Sequence, residues 1–249
     1  MHTFCVIMPD RYSARADVIL LDIEGTTTPI DYVFGVLFPF AKKQVESFLQ
    51  TYDWENGVQA DLERLRQEYA ADVARGLTVP EWVDNSATAA VPYIHYLIAA
   101  DRKSTGLKSL QGKIWESGYR NGTLRSQLFP DVKPAFERWT REGKRLYIFS
   151  SGSIQAQQLL FQYSEAGDLT QFLSGYFDTE TGLKKEAESY RKITQSIGVL
   201  PNQILFISDV TAELKAAKAV GMQTLFSLRS GNRTSDAEEF PVINSFDNV

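Results

Sequence analysis

Three short runs of apolar residues each stop at oxygen-bearing side chains, and this pattern constrains the fold more than any other feature of the chain. Val18 to Leu21 runs into Asp22-Ile23-Glu24-Gly25-Thr26, Leu146 to Phe149 into Ser150-Ser151-Gly152, and Ile204 to Ile207 into Ser208-Asp209. The runs are continuous rather than alternating, and each is followed by a helical pattern, as parallel strands covered on both faces require. Open α/β sheets do their chemistry at the carboxyl ends of their strands. The expectation is therefore an α/β fold with a doubly wound parallel sheet whose edge carries Asp22, Glu24, Ser150, Ser151 and Asp209.

A cluster of buried carboxylates is costly unless a cation relieves it. The donors are carboxylate and hydroxyl oxygens, with no Cys or His beside them in the sequence, which suits a hard ion such as Mg²⁺. A carboxylate nucleophile beside Mg²⁺ is a phosphoryl-transfer site. Asp22 would attack phosphorus to form an aspartyl-phosphate; Glu24 would protonate the leaving oxygen and then activate water.

With these residues the chain resembles the haloacid-dehalogenase-like superfamily. Its first motif carries the nucleophile and, two residues on, the acid/base; the second supplies a phosphate-binding Ser or Thr, the third a Lys, and the fourth an acidic metal ligand. Asp22 with Glu24, Ser150, Lys184 and Asp209 fit those places in order. The acid/base place is usually Asp, and here it is Glu24. That departure, in Asp-Ile-Glu-Gly-Thr-Thr-Thr-Pro-Ile, is similar to the acireductone synthase, or enolase-phosphatase, branch of methionine salvage. So are Ser150-Ser151-Gly152-Ser153 with Ala156-Gln157, Glu188-Ser189-Tyr190-Arg191-Lys192-Ile193, and Asp209-Val210-Thr211. The resemblance implies a Mg²⁺-dependent enzyme that enolises 2,3-diketo-5-methylthiopentyl-1-phosphate and then cleaves its phosphate ester to give an acireductone and phosphate. It also implies Asp22 and Glu24 as catalytic groups, Asp22, Asp209 and the Glu24 position as metal ligands, the last through its backbone carbonyl, and Ser150, Ser151 and Lys184 as phosphate binders. The Gly-x-Lys register favours Lys184 over Lys185.

Size and composition exclude several other classes. The 249 residues, 43% hydrophobic and 23% charged, make an ordinary globular protein. No run approaches the ~20 apolar residues of a membrane span, and Phe4 to Met8 is too short for a signal-peptide core. With Cys5 as its one cysteine, the chain fits a reducing compartment, and a cytoplasmic location is expected. A net charge of −5, from 26 basic and 31 acidic residues without a basic stripe, argues against nucleic acid and anionic membranes as partners. The expected partner is a small-molecule phosphate ester, bound by a monomer.

Residues 1 to 16 read as a mobile leader, with the core in residues 17–30 and 125–249 and an inserted helical cap in residues 31–124. A sheet split after its first strand implies such an insertion rather than two tandem domains. Helices are expected near 58 to 75, with Leu62, Leu65, Tyr69 and Val73 on one face and Gly76 as the stop, near 91 to 103 and near 105 to 117. The stretch around Pro80 reads as a loop with Trp82 packed. Further helices are expected around Ala135, Phe136 and Trp139, from Ser153 to Tyr163, around Tyr190, Ile193 and Ile197, and after Asp209 with Leu214, Ala217 and Val220 inward. Gly175 to Asp178 reads as a connection or strand, Gln223 to Leu228 as one more strand, and the tail beyond Ser230 as polar and irregular. Asn121-Gly122-Thr123 and Asn232-Arg233-Thr234 read as turns rather than glycosylation sites without export.

Several residues carry two readings. Asp22, Ser150 and Ser151 also suit helix caps; Thr26 reads as a brace for the first loop. Glu213, one helical turn after Asp209, faces the same site or solvent: it binds metal through water, orients Lys184, or is a solvated acid. His95 reads as a packed residue with a satisfied ring nitrogen or as a cap catalyst. Lys42 and Lys43 fit a solvated helix face, and Phe34, Phe38 and Phe40 fit core positions or an apolar wall for a methylthioalkyl group. Two other functions share most of the motifs: a phosphatase of another small phosphate ester, and a phospho-acceptor signalling module with Asp22 as the acceptor. The base for enolisation is not legible.

Overall fold

The computed structural model describes residues 12–51, 57–100, 102, 104–232 and 236–249. Most of the expected leader, residues 1–11 with His2 and Cys5, lies outside them, as do Arg233 and Thr234. The rest of that leader is packed, not loose. Tyr12–Arg15 form a 3-10 turn, Ser13 and Ala16 are buried, and Lys144 Nζ donates to both of their carbonyls at 2.7 Å.

The described residues divide into two compact units: Ile30–Gln127 with Gly152–Asp168, and the remainder, which holds the sheet. The sheet has six strands, β1 (Val18–Leu21), β2 (Arg145–Phe149), β3 (Leu173–Phe177), β4 (Ile204–Ser208), β5 (Gln223–Ser227) and β6 (Val242–Ile243), in the order β3-β2-β1-β4-β5-β6. Every pairing is parallel. Both β1 and β4 are buried along their whole length, which is why they are written as unbroken apolar runs. Leu21 lies level with Ile148 of β2 and Ile207 of β4. The residues that follow, Asp22, Phe149-Ser150 and Ser208-Asp209, therefore leave the sheet at one edge. The strand order reverses between β1 and β4, the place where such sheets bind ligands.

Successive strand residues point to opposite faces. Val18 and Leu20 of β1, Phe206 of β4 and Phe226 of β5 join Tyr190, Ile193, Leu214 and Ala217 in one core. Those last four come from α8 (Ala187–Ile197) and α9 (Thr211–Val220). On α6 (Val132–Arg141), which packs on β2, Ala135, Phe136 and Trp139 are fully buried. The tail departs from the expected irregular stretch: β6 extends the sheet, and Trp139 Nε1 and Arg138 donate to the Val249 carbonyl at 3.0 and 2.9 Å.

The helical unit comprises α1 (Ile30–Tyr32), a π-helical turn Val33–Leu37, α2 (Phe38–Thr51), α3 (Val58–Ala74), α4 (Val91–Ala99), α5 (Thr105–Arg120) and α7 (Ile154–Gln162). The expected boundary set α7 with the sheet, but Leu159 shares a core with Tyr32, Leu37 and Tyr119, and Gln155 donates to Glu116 at 2.7 Å. On α3 the expected face is only half right. Leu62 and Leu65 are buried, whereas Val73 is half exposed and Asp61 and Asp72 are buried in its stead. Each acid has a cationic partner: Lys113 and Arg64 for Asp61, and Arg102 at 3.0 Å for Asp72, which also accepts from the Tyr93 hydroxyl at 2.9 Å. Gly106 lets α5 approach α3, since a Cβ there would lie 2.8 Å from Leu65. Trp82 packs on Tyr69, with ring centroids 5.6 Å apart, as expected. Lys42 and Lys43 are exposed. Phe38 and Phe40 are half-buried, but Phe34 is exposed and not core. Asn121–Thr123 is a turn in which Asn121 Oδ1 accepts from the Thr123 amide at 3.0 Å.

Phe206 sits at the middle of the sheet core, its ring 5.2 Å from that of Tyr190. Phe206→Ala is expected to cost about 3–5 kcal/mol, measured as a lower denaturant midpoint with an unchanged slope. A loss under about 1 kcal/mol would mean that the core refills around the deletion.

Candidate active site

The site is built on β1, β4 and the segment that leads into α8, all within the sheet unit. Asp22 follows β1 directly and remains tied to the sheet, its amide donating to the Ile207 carbonyl at 3.0 Å. The chain then turns sharply. The amides of Thr26, Thr27 and Thr28 all donate to the Ile23 carbonyl at 2.9–3.1 Å, and Thr27 Oγ1 donates to the carbonyls of Asp22 and Ile23, each at 3.2 Å. Thr27 thus does with its side chain what was expected of Thr26. Thr26 is buried, but its hydroxyl finds no hydrogen-bond partner among the described residues.

Lys184 reaches this turn from the segment between β3 and α8. Its backbone is fixed by the first turn of α8, where the Tyr190 hydroxyl donates to the Lys184 carbonyl and Ser189 Oγ to the Leu183 carbonyl, both at 2.7 Å. Lys184 Nζ lies 2.5 Å from Asp22 Oδ1 and 2.7 Å from Glu213 Oε2. All three side chains are buried. Lys185 is exposed, so the register expected from Gly-x-Lys is the one that places a lysine here. Burial alone would lower the Lys184 ammonium; the charges of Asp22 and Glu213 outweigh it and hold the group above its ordinary value. Glu213, for which three readings were open, thus pairs with Lys184.

Ser208 closes the group. Its hydroxyl is 3.0 Å from Glu213 Oε2 and 3.4 Å from Asp22 Oδ2, and it accepts from the Val210 amide at 3.1 Å. Asp209 lies on the other side of the β1 turn, pressed against Gly25. A Cβ at Gly25 would stand 2.2 Å from Asp209 Oδ2, and the backbone there has φ +71°, so glycine is required twice over. Burial first, and then the charge of Asp22, push the Asp209 carboxyl up to about 7; the same two causes, in the same order, push Glu213 up to about 7.

The remaining expected residues divide. Ser150 is buried at the end of β2, its amide donating to the Phe177 carbonyl at 3.2 Å. Ser151 is exposed, and Glu24 is half-buried on the β1 turn. Neither Ser150 nor Ser151 is the helix cap; Ser153 is, its Oγ accepting from the Ala156 amide at 3.3 Å. In the helical unit, the His95 ring nitrogen Nε2 is 3.0 Å from the Lys42 carbonyl oxygen.

Comparison with known proteins identifies the family. Residues 16–221 match the haloacid dehalogenase-like hydrolases. Over 231 residues the chain is 59% identical to Enolase-phosphatase E1 of Synechococcus elongatus, covering 93% of this chain and 96% of that one. The chain belongs to the enolase-phosphatase E1 family of haloacid dehalogenase-like hydrolases. It is likewise 44% identical to Enolase-phosphatase E1 of an Enterobacter species, over 93% of this chain and 95% of that one. Among solved structures, the UTR4 protein of Saccharomyces cerevisiae superposes with a TM-score of 0.77 at 33% identity, covering 94% of this chain and all of that one. With that membership the chain is an enzyme, a hydrolase of the phosphatase kind.

No group of three or more His, Cys, Asp or Glu side chains forms a metal cage among the described residues. What the site holds is two desolvated carboxylates, Asp22 and Asp209, close enough that the charge of one raises the other. An oxygen-only pair of this kind fits a hydrated Mg²⁺, which keeps several of its waters, better than a fully caged ion. No described helix is long and apolar enough to cross a membrane.

A carboxyl whose value is raised on folding stabilises the fold while protonated, and that contribution is lost as pH rises through about 7. In metal-free protein, Asp209→Asn is therefore expected to raise stability at about pH 8 by on the order of 2 kcal/mol, with the gain shrinking to nothing by about pH 4. Urea unfolding at several pH values measures this. An equal gain at all pH values, or none, would mean that Asp209 carries no buried charge.

Proposed function

We propose that this enzyme acts twice on one substrate, 2,3-diketo-5-methylthiopentyl-1-phosphate, first enolising the diketone and then hydrolysing the phosphate ester to release an acireductone. The observation that carries this reading is the 59% identity to an Enolase-phosphatase E1 along nearly the whole chain, together with Glu24 in the acid/base place of a site whose lysine is clamped between two acids.

In the hydrolytic half, Asp22 attacks phosphorus through Oδ2, because Oδ1 is committed to Lys184 and to the Ile23 amide at 2.7 Å. As the aspartyl-phosphate bond forms, the ester P–O bond breaks and Glu24 delivers its proton to the leaving oxygen. Glu24 then takes a proton from the water that attacks the aspartyl-phosphate, which returns Asp22 as a carboxylate and releases phosphate. Lys184, Ser150 and Ser151 bind the phosphate oxygens, Lys184 by charge, Ser150 through its hydroxyl, and Ser151 through hydroxyl and amide donors. The reading assigns Mg²⁺ to Asp22, Asp209 and the Glu24 position, where when bound it supplies positive charge to phosphate oxygens and to a developing enolate. The helical unit takes the role of a cap that selects the substrate, and the enzyme works as a cytoplasmic monomer.

The test supplies the diketone phosphate and follows enol absorbance and phosphate release together. The expected record is enol rising before phosphate. Phosphate release from many unrelated esters with no enol would replace this reading with a general phosphatase, and an aspartyl-phosphate persisting for minutes would replace it with a signalling module.

The reading also separates two neighbouring lysines. Loss of a charge contact from a desolvated site costs on the order of 3 kcal/mol, so Lys184→Ala should slow phosphate release about a hundredfold while Lys185→Ala changes it little. Equal and small effects would remove Lys184 from phosphate binding.

A further inference from the structure

The loop that follows β5 reaches back to the β1 turn through Asn232, a residue outside the four sequence motifs. Asn232 Nδ2 donates to the Gly25 carbonyl at 2.8 Å, and the same nitrogen is 3.5 Å from Asp209 Oδ2 and from the Ser227 carbonyl. It also lies 3.0 Å from where a Gly25 Cβ would be, beside the Asp209 carboxylate that fills the rest of that space. One amide group therefore touches both the turn that carries Asp22 and the carboxylate that closes β4. Ser227 Oγ makes a second bond to the same Gly25 carbonyl, at 3.2 Å.

We infer that Asn232 is a positioning residue for the metal, its side-chain amide fixing the spacing between the Asp22 turn and the Asp209 carboxylate. The inference rests on the assignment of Mg²⁺ to Asp22 and Asp209. The physical argument is one of preorganisation. Two like charges at adjacent strand ends repel, and each strand end alone sets only its own carboxylate. A donor that binds the backbone of one and the side chain of the other holds their separation before the cation arrives. Partners of this kind, one step removed from the ion, commonly govern affinity about as strongly as a weak ligand does. The donor must come from an amide: a hydroxyl at this position is too short to reach both acceptors, and a carboxylate would add a third negative charge.

The experiment titrates Mg²⁺ into chelator-stripped protein by calorimetry, and follows the Mg²⁺-induced rise in melting temperature, for the parent, Asn232→Ala, Asn232→Ser and Ser227→Ala. The expected result is an affinity about tenfold weaker in both Asn232 variants, with kcat recovered to within about threefold at saturating Mg²⁺. Ser227→Ala, which removes a brace on the same carbonyl, should change Mg²⁺ affinity by less than about twofold. Asn232→Ser serves if Asn232→Ala does not fold. Unchanged affinity in the Asn232 variants overturns the inference, and so does a loss in Ser227→Ala as large as theirs, because the amide would then do no more than brace the turn. A parent protein that binds no Mg²⁺ would instead overturn the metal assignment itself.

Discussion

One buried ammonium holds the site together. Lys184 stands between Asp22 and Glu213, and its charge also acts on Asp209, so among the described residues these three carboxylates share its ammonium. An arrangement with that excess of negative charge is unstable when dry. Burial and the charge of Asp22 raise Asp209 and Glu213 to about 7, which eases the crowding of negative charge. A divalent cation would do the same more completely, and the cost of gathering the acids is then recovered on binding. The trio also makes the two oxygens of Asp22 unlike each other. Oδ1 accepts from Lys184 and from the Ile23 amide, while among the described residues Oδ2 accepts from the Ser208 hydroxyl at 3.4 Å.

Local signals carried most of the fold. The apolar runs at β1 and β4 and the spacings of α6, α8 and α9 could be read because burial on two faces, or on one stripe, writes itself into consecutive residues. Where pairing depends on distant partners, the same reasoning ran out. β6 is two residues long and exists only because β5 offers it an edge. β3 carries Gly175 and a shift of register against β2 between Leu146 and Tyr147, which blurs its apolar pattern. On α3, Asp61 and Asp72 occupy buried positions that Val73 was expected to share. The Lys113, Arg102 and Tyr93 groups that make this tolerable lie 52, 30 and 21 residues away in sequence.

The site shows the same division. Asp22, Glu24, Ser150 and Asp209 lie in short strings at strand ends and Lys184 two residues after Gly182, where residue type and spacing are themselves the signal. Ser208 was visible as a strand end but carried no distinctive chemistry until its hydroxyl was seen between Asp22 and Glu213. Asn232 stood out only within a triplet read as a turn, and nothing in that polar stretch pointed to Gly25, 207 residues away. Thr26 and Thr27, adjacent and chemically alike, could not be told apart without the turn geometry that points one hydroxyl at the Asp22 and Ile23 carbonyls.

The stiffness of the β1 turn is set from outside it, by the chain that follows β5. Ser227 Oγ and Asn232 Nδ2 hold the Gly25 carbonyl, and Arg229 Nε donates to the next one, Thr26, at 3.2 Å. Arg229 is itself immobilised. Its guanidinium lies 4.2 Å over the Phe246 ring and 4.9 Å over Phe129, and Nη1 donates to Asp131 at 2.7 Å and to the Asn244 carbonyl at 3.1 Å. A planar cation held by two aromatic faces and a carboxylate keeps little rotational freedom. The tail, the start of α6 and the turn that bears Asp22 are thus one hydrogen-bonded body. A nucleophile that must meet phosphorus in line needs its carboxylate held to a fraction of an ångström, and a turn anchored only by its own backbone would not give that. The polar tail that looked least informative in the sequence is, on this argument, part of what fixes the Asp22 turn in place.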